Sequence, residues 1–173
     1  MGKGYTRGLA RASAAKQNIF KLTLPVRDKV IVVDGATGVG WGTAVIGDLP
    51  QGNILLLGAV AYMQFSGPGA AGLTDTFDGD YGIGTTPASD ATITGADVDI
   101  IPSTALGAAT AEASPRVRGV SAGASAGVIF DNTDGSLELN LNLLIDDANI
   151  SADDINITAN GELYMSYIVL GDD

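Results

Sequence analysis

The sequence of 173 residues contains no cysteine and no histidine. The absence of cysteine excludes a disulfide framework, and the absence of both residues excludes the usual Cys/His zinc sites. Without histidine the chain also lacks the commonest general base and the usual activator of a nucleophile. We therefore predict that the protein is not an enzyme, with no catalytic residue and no cofactor, and we assign no residue as a metal ligand.

Charged residues are scarce at 17% of the chain and aromatic residues make up only 6%, whereas 46% is hydrophobic and glycine occurs 24 times. Short apolar runs separated by Gly, Ala, Ser and Thr are typical of a β-protein with many turns. The longest apolar run is far shorter than the about 20 residues of a membrane-spanning helix, so no membrane partner is expected. The mean hydropathy of +0.25 favours burial of further surface between subunits.

Basic residues are few and lie mostly at the N-terminus. The net charge is −11, yet residues 1–29 hold seven of the nine basic side chains and a single acid, Asp28. We interpret residues 1–18 as a basic arm without a secretory apolar core, and residues 19–173 as one acidic β-domain. The arm is either a flexible or weakly helical tail or a segment that orders on a negatively charged partner. Because the acidic domain repels phosphates, no nucleic acid partner is expected.

The run from Trp41 to Phe65 organises the predicted fold. It consists of two apolar segments, Trp41–Ile46 and Ile54–Phe65, joined by the turn-rich residues 47–52. The second segment has hardly any polar side chain, which predicts a long central strand that is buried on both faces. The other strands are then expected to pair with this strand and to cover it.

The remaining strands are predicted from apolar alternation and from turn residues. Pro25 ends the first of them or places it on a sheet edge, and Pro102 stops the fourth. In the cleanest one, Leu137, Leu139, Leu141 and Leu143 face one side, and Glu138, Asn140 and Asn142 face the other. The third is followed by a glycine-rich turn, and residues 103–114 are either a loop or one short helix. The predicted strands cover residues 19–24, 29–33, 73–86, 91–101, 116–120, 127–130, 136–143 and 161–170. About nine to eleven short strands predict an all-β fold, an antiparallel β-sandwich or jelly roll.

Residues 34–40 have the glycine spacing GxxGxG of dinucleotide-binding loops. Such a loop must open a helix whose N-terminus receives the pyrophosphate. The residues that follow, 41–47, contain two glycines and show no helical periodicity. We therefore interpret this stretch as a hairpin turn.

Three pairs of aspartates are candidate cation or acid–base groups. They are Asp78 and Asp80, Asp146 and Asp147, and Asp153 and Asp154. Calcium takes several carboxylate oxygens, and paired carboxylates can act as general acid and base. The spacing of an EF-hand is absent, so we interpret the pairs as solvated turn residues and leave open whether one of them binds a cation.

Several segments resemble small virion proteins of tailed bacteriophages that are known as capsid decoration, or cement, proteins. The resemblance lies in residues 41–57, 77–86, 97–106, 141–153 and 167–173. It implies a β-rich module without enzyme activity that is made in the bacterial cytoplasm and binds the outside of an icosahedral head. It also implies the major capsid protein as partner and a homo-oligomer, commonly a trimer at local threefold axes.

From this resemblance we expect a structural virion protein that stabilises capsomer contacts, with the basic arm contacting the capsid and Phe20 as an apolar anchor. The predicted contact residues are Lys3, Arg7, Arg11, Lys16, Phe20 and Lys21. The alternative is a receptor- or glycan-binding β-sandwich of a head fibre or tail appendage. That function requires a cluster of exposed aromatic side chains.

Overall fold

The computed structural model describes residues 19–34, 40–67, 72–121, 126–146, 150 and 154–171. These residues form nine strands and one short 3₁₀ turn, so the predicted all-β class is confirmed. The predicted arm, residues 1–18, lies outside the described residues. The strands are β1 (Phe20–Val33), β2 (Gly40–Asp48), β3 (Gly52–Ser66), β4 (Gly79–Gly84), β5 (Ile101–Ala105), β6 (Val117–Val120), β7 (Ile129–Asn132), β8 (Glu138–Ile145) and β9 (Ile155–Gly171).

The strands form two antiparallel sheets that pack face to face. The five-stranded sheet has the order β1-β9-β3-β6, with β7 also paired to β3, and the four-stranded sheet has the order β2-β8-β4-β5. The pairing is nested along the chain: β1 with β9, β2 with β8, β3 with β6 and β4 with β5. This is the connectivity of a jelly roll with β7 as an additional short strand.

The core lies between the two sheets, where the inward residues of successive strands alternate with outward ones. From β8, Leu139, Leu141 and Leu143 are fully buried, as their alternation predicted. The long strand β3 is central in its sheet, as predicted, and contributes every second residue to the core. Phe65 of β3 meets Tyr81 of the opposite sheet with ring centroids 5.6 Å apart.

Two prolines, Pro25 and Pro102, lie inside strands. Only for Pro25 did the sequence predict a possible position within an edge strand. Residues 19–24 and 29–33 form one strand, β1, and Pro25 is tolerated because β1 is a sheet edge. The break predicted between them is a β-bulge at Val26–Lys29. Pro102 does not stop a strand. It is the second residue of β5, which is also an edge.

The prediction for residues 73–86 had strand and turn in the wrong places. The glycine-rich part is the strand β4, and the residues before it form a turn. Residues 91–100, predicted as part of a strand, form no strand; they include a short 3₁₀ turn, Gly95–Asp97, that packs on β4. A Cβ at Gly84 would overlap the carbonyl oxygen of Ala96, and a Cβ at Gly82 would overlap Val98. The glycines therefore provide room for a covering segment.

Asn140 and Asn142 face the side of β8 opposite the leucines, as predicted, but this side is not open to solvent because residues 85–100 pack on it. Asn140 is 2% exposed and Asn142 is fully buried. The Asn142 side chain accepts a hydrogen bond from Ala88 N at 2.9 Å and donates to the carbonyl oxygens of Thr86 and Asp97. Residues 85–100 thus cover part of the outer face of the four-stranded sheet, while Val45 of β2, which pairs with Asn140, stays 38% exposed.

The buried Tyr81 predicts a loss of stability in alkali. Burial raises the pKa of Tyr81 to about 12, from an ordinary value of 10.0, and its hydroxyl donates to Val117 O at 3.4 Å. Because the unfolded chain releases this proton first, stability falls between pH 10 and pH 12, by about 2–3 kcal/mol in total. Urea unfolding of wild type and Tyr81→Phe over this range measures the effect. Equal pH slopes for the two proteins would contradict it.

Candidate interaction surface

The centre of the outer face of the five-stranded sheet carries an apolar patch that no described residue covers. Leu57 of β3 is 37% exposed, Val120 of β6 39%, Tyr164 of β9 40% and Ile129 of β7 56%. The register pairs Val60 with both Val120 and Tyr164, which places these side chains side by side. Outward residues of a sandwich are normally polar, so an apolar outer face indicates a surface that binds a partner.

A groove of about 470 Å³ runs across the centre of this face. It lies where Leu57 forms a bulge in β3, between the stretches that pair with β6 and β7. Gly58 leaves the groove open, since a Cβ there would meet only Ser121 Oγ, at 3.6 Å. Ser121 Oγ accepts a hydrogen bond from Ala59 N and fixes that wall. The groove is lined by Lys21, Leu22, Thr23, Leu57, Gly58, Ala59, Val60, Val120, Ser121, Tyr164, Met165 and Ser166.

A small aromatic and charged cluster adjoins the groove. Tyr62 and Tyr164 pack edge to face with centroids 6.5 Å apart, and the guanidinium of Arg116 lies over the Tyr62 ring at 5.6 Å. Glu162 accepts from the Tyr164 hydroxyl at 2.7 Å and pairs with Arg116 at 3.3 Å. The hydrogen bond to Glu162 raises the pKa of Tyr164. These contacts hold the two exposed rings in a defined orientation.

One of the six predicted contact residues, Lys21, lines the groove. Phe20 is 44% exposed and stacks on Tyr167, with centroids 5.6 Å apart. It lies on the opposite face of the sheet, since Tyr167 pairs with the buried Leu56 and packs against the core. The other four lie outside the described residues, and they are Lys3, Arg7, Arg11 and Lys16. Leu57, Val60 and Val120 were not predicted as contact residues. The signal that could have found the first two is the lack of polar residues on both faces of 54–65.

The acidic pairs and the glycine loop do not assemble into a site in the part of the chain that is described. No group of three or more Asp or Glu in these residues is placed to hold a metal ion. Asp146 N donates to Asp78 O at 3.1 Å, while Asp147 and Asp153 are among the residues left undescribed. Residues 35–39 also lie outside the described residues, but the flanking Asp34 and Trp41 form an antiparallel bridge. The strand β2, and not a helix, follows them.

No helix within the described ranges is long and apolar enough to cross a membrane. Neither a protein-family model nor a curated protein sequence matches this chain. The strand pairing alone therefore defines the class of protein, an antiparallel β-sandwich. The resemblance to phage decoration proteins remains a prediction.

Proposed function

We propose that the protein is a structural virion protein that decorates the outside of a tailed-phage head and stabilises contacts between capsomers. The observation that carries this proposal is the contrast between the two outer faces. One is partly covered by residues 85–100, and the other carries a central apolar patch with a groove. Such a face is a binding surface for protein. The sequence resemblance supplies the capsid as the partner.

The geometry also supports a role for the N-terminal arm. β1 begins at Phe20, and Lys21, Leu22 and Thr23 line the groove, so the described chain begins at the rim of the candidate surface. An arm attached at this rim, together with the sheet face, can contact two neighbouring capsomers at once. Binding that occurs only on the assembled shell stabilises the assembled state by mass action.

The number of copies in virus particles tests the proposal. A decoration protein is expected in near-stoichiometric ratio to the major capsid protein, measured by quantitative mass spectrometry of purified particles of the source. A handful of copies per particle would indicate a vertex or tail appendage instead. Absence from the particles would refute a virion function.

Deletion of residues 1–18 tests the arm separately. We expect the truncated protein to lose binding to undecorated heads and to keep the unfolding midpoint of the full chain, because the described sandwich begins at residue 19. Unchanged binding by the truncated protein would exclude the arm from the contact.

One observation favours a second function, glycan binding. The exposed pair Tyr62 and Tyr164 borders a notch of about 180 Å³ lined by Gln64, Arg116, Asn160, Gly161 and Glu162. Amide, guanidinium and carboxylate groups beside an exposed ring can bind sugar hydroxyls. A glycan array with wild type and Tyr164→Ala distinguishes the two functions. Specific binding that Tyr164→Ala removes would favour a receptor-binding role.

A further inference from the structure

The charge of the domain is strongly polarised. All five basic residues in the described part of the chain lie in β1, in β6 or directly before β6. Thirteen of the sixteen acids among the same residues lie outside the strands of the five-stranded sheet. The segment that covers the four-stranded sheet contains Asp90, Asp97 and Asp99 and no basic residue. The five basic residues are Lys21, Arg27, Lys29, Arg116 and Arg118.

Within the exposed face the positive charges surround apolar side chains. Lys21 is at one side of the groove, and Arg118 of β6 is paired with Tyr62 on the other side. Lys21 and Arg118 are exposed, whereas Arg116 forms an ion pair with Glu162. The face therefore presents an apolar centre with Lys21 and Arg118 at its rim, while Glu162 neutralises Arg116 and the exposed Asp131 lies on the same face in β7. This is the pattern of a protein interface with an acidic counterpart, because rim charges set orientation and partner choice.

The same charges disfavour the other occupants of the face. The arm, residues 1–18, carries four basic residues and no acid, so the face repels it. A second copy docked face to face brings equal charges together. A duplex of nucleic acid meets few basic residues here, and the net charge of −11 opposes its approach.

We infer that the five-stranded sheet docks on an acidic protein surface and receives a projecting apolar side chain in the groove, while the acidic four-stranded sheet points away from the partner. The inference rests on the proposed function, in which this partner is the outer surface of the capsid. It adds the orientation of the domain on the shell and the chemistry of the shell surface that it recognises.

Binding of matched variants to purified heads that lack the protein tests the inference. Arg118→Gln and Lys21→Gln each remove one positive charge from the face, and Ser89→Glu makes the same change in net charge on the opposite side. We expect each face variant to bind about five- to tenfold more weakly at low salt, with a smaller difference at high salt. The Ser89→Glu protein is expected to bind as wild type does.

Gly58→Leu tests the groove without a change in charge. Gly58 has no strained backbone and open space above it, so leucine is expected to fill the groove and leave the fold intact. We expect binding to heads to fall about tenfold or more at every salt concentration. Urea unfolding of each variant verifies that the sandwich is folded.

The outcomes separate the two proposals. If wild type binds heads and all the face variants bind them as tightly as wild type does, the docking surface is refuted and the capsid function stands. If wild type does not bind heads, the capsid function fails and the inference fails with it. Two further results would overturn the partner class: a mobility shift of a short DNA duplex that Arg118→Gln removes, or a dimer in sedimentation that Gly58→Leu removes.

Discussion

Replacing Asn142 with leucine is expected to destabilise the protein by about 3–5 kcal/mol. Asn142 lies on β8 and is fully buried beneath residues 85–100. Its amide makes three hydrogen bonds of 2.8–2.9 Å, to Ala88 N and to the carbonyl oxygens of Thr86 and Asp97. Leucine has a similar size but no polar atom, so all three backbone groups lose their partner.

Urea unfolding at equilibrium measures this prediction as a shift in midpoint with an unchanged m-value. Asn156→Leu is the matched control, because Asn156 is also on a strand but is exposed on β9. The control is expected to change the free energy of unfolding by less than about 0.5 kcal/mol. A cost below about 1 kcal/mol for Asn142→Leu would mean that residues 85–100 are not anchored through this side chain.

Asn142 also shows what local sequence pattern can and cannot predict. The alternation in residues 136–143 predicted a strand and its inner face, and both are confirmed by the burial of Leu139, Leu141 and Leu143. It could not predict the outer face, because the segment that covers it comes from residues about 45–55 positions earlier in the chain. Whether a polar residue on a strand is exposed, or buried and hydrogen-bonded, depends on such distant partners.

The prediction of a turn at the glycines of β4 failed for the same reason. Local rules assign a stretch such as residues 79–84 to a turn. Gly82 and Gly84 are instead in a strand because the segment around the 3₁₀ turn packs directly against their backbone. A side chain would hold this segment away from the sheet. Close approach of backbone is a property of the tertiary fold, and glycine in a strand is only a weak sign of it.

The candidate surface was predictable in part. The run Ile54–Phe65 was expected to be buried on both faces, and its inner face is buried. On its outer face Leu57 is exposed and Leu55, Val60 and Tyr62 are half-buried. The prediction of burial on both faces is therefore wrong for the outer face. The residues that complete the surface come from β6, β7 and β9, which only the strand order brings together.

Replacing Gly42 with alanine is the second change with a large expected effect, because it acts where the two sheets meet. Gly42 is buried on β2, opposite Leu143 in the four-stranded sheet. A Cβ there would overlap the carbonyl oxygen of Val32 on β1 and lie 2.7 Å from Cγ2 of Ile31. The obstacle is the backbone of the other sheet, which cannot rotate away. We expect a cost of at least about 3 kcal/mol, or failure to fold.

Gly58→Ala is the matched control for Gly42→Ala, since Gly58 is also a strand glycine but has no close neighbour above it. The new Cβ would lie 3.6 Å from Ser121 Oγ, an ordinary contact. Because the alanine fits and restricts the unfolded chain, we expect it to be neutral or to stabilise the protein by up to about 1 kcal/mol. Soluble yield and urea midpoints of the two variants measure the contrast. If Gly42→Ala also cost less than about 1 kcal/mol, β1 and β2 could not approach as closely as the jelly roll places them.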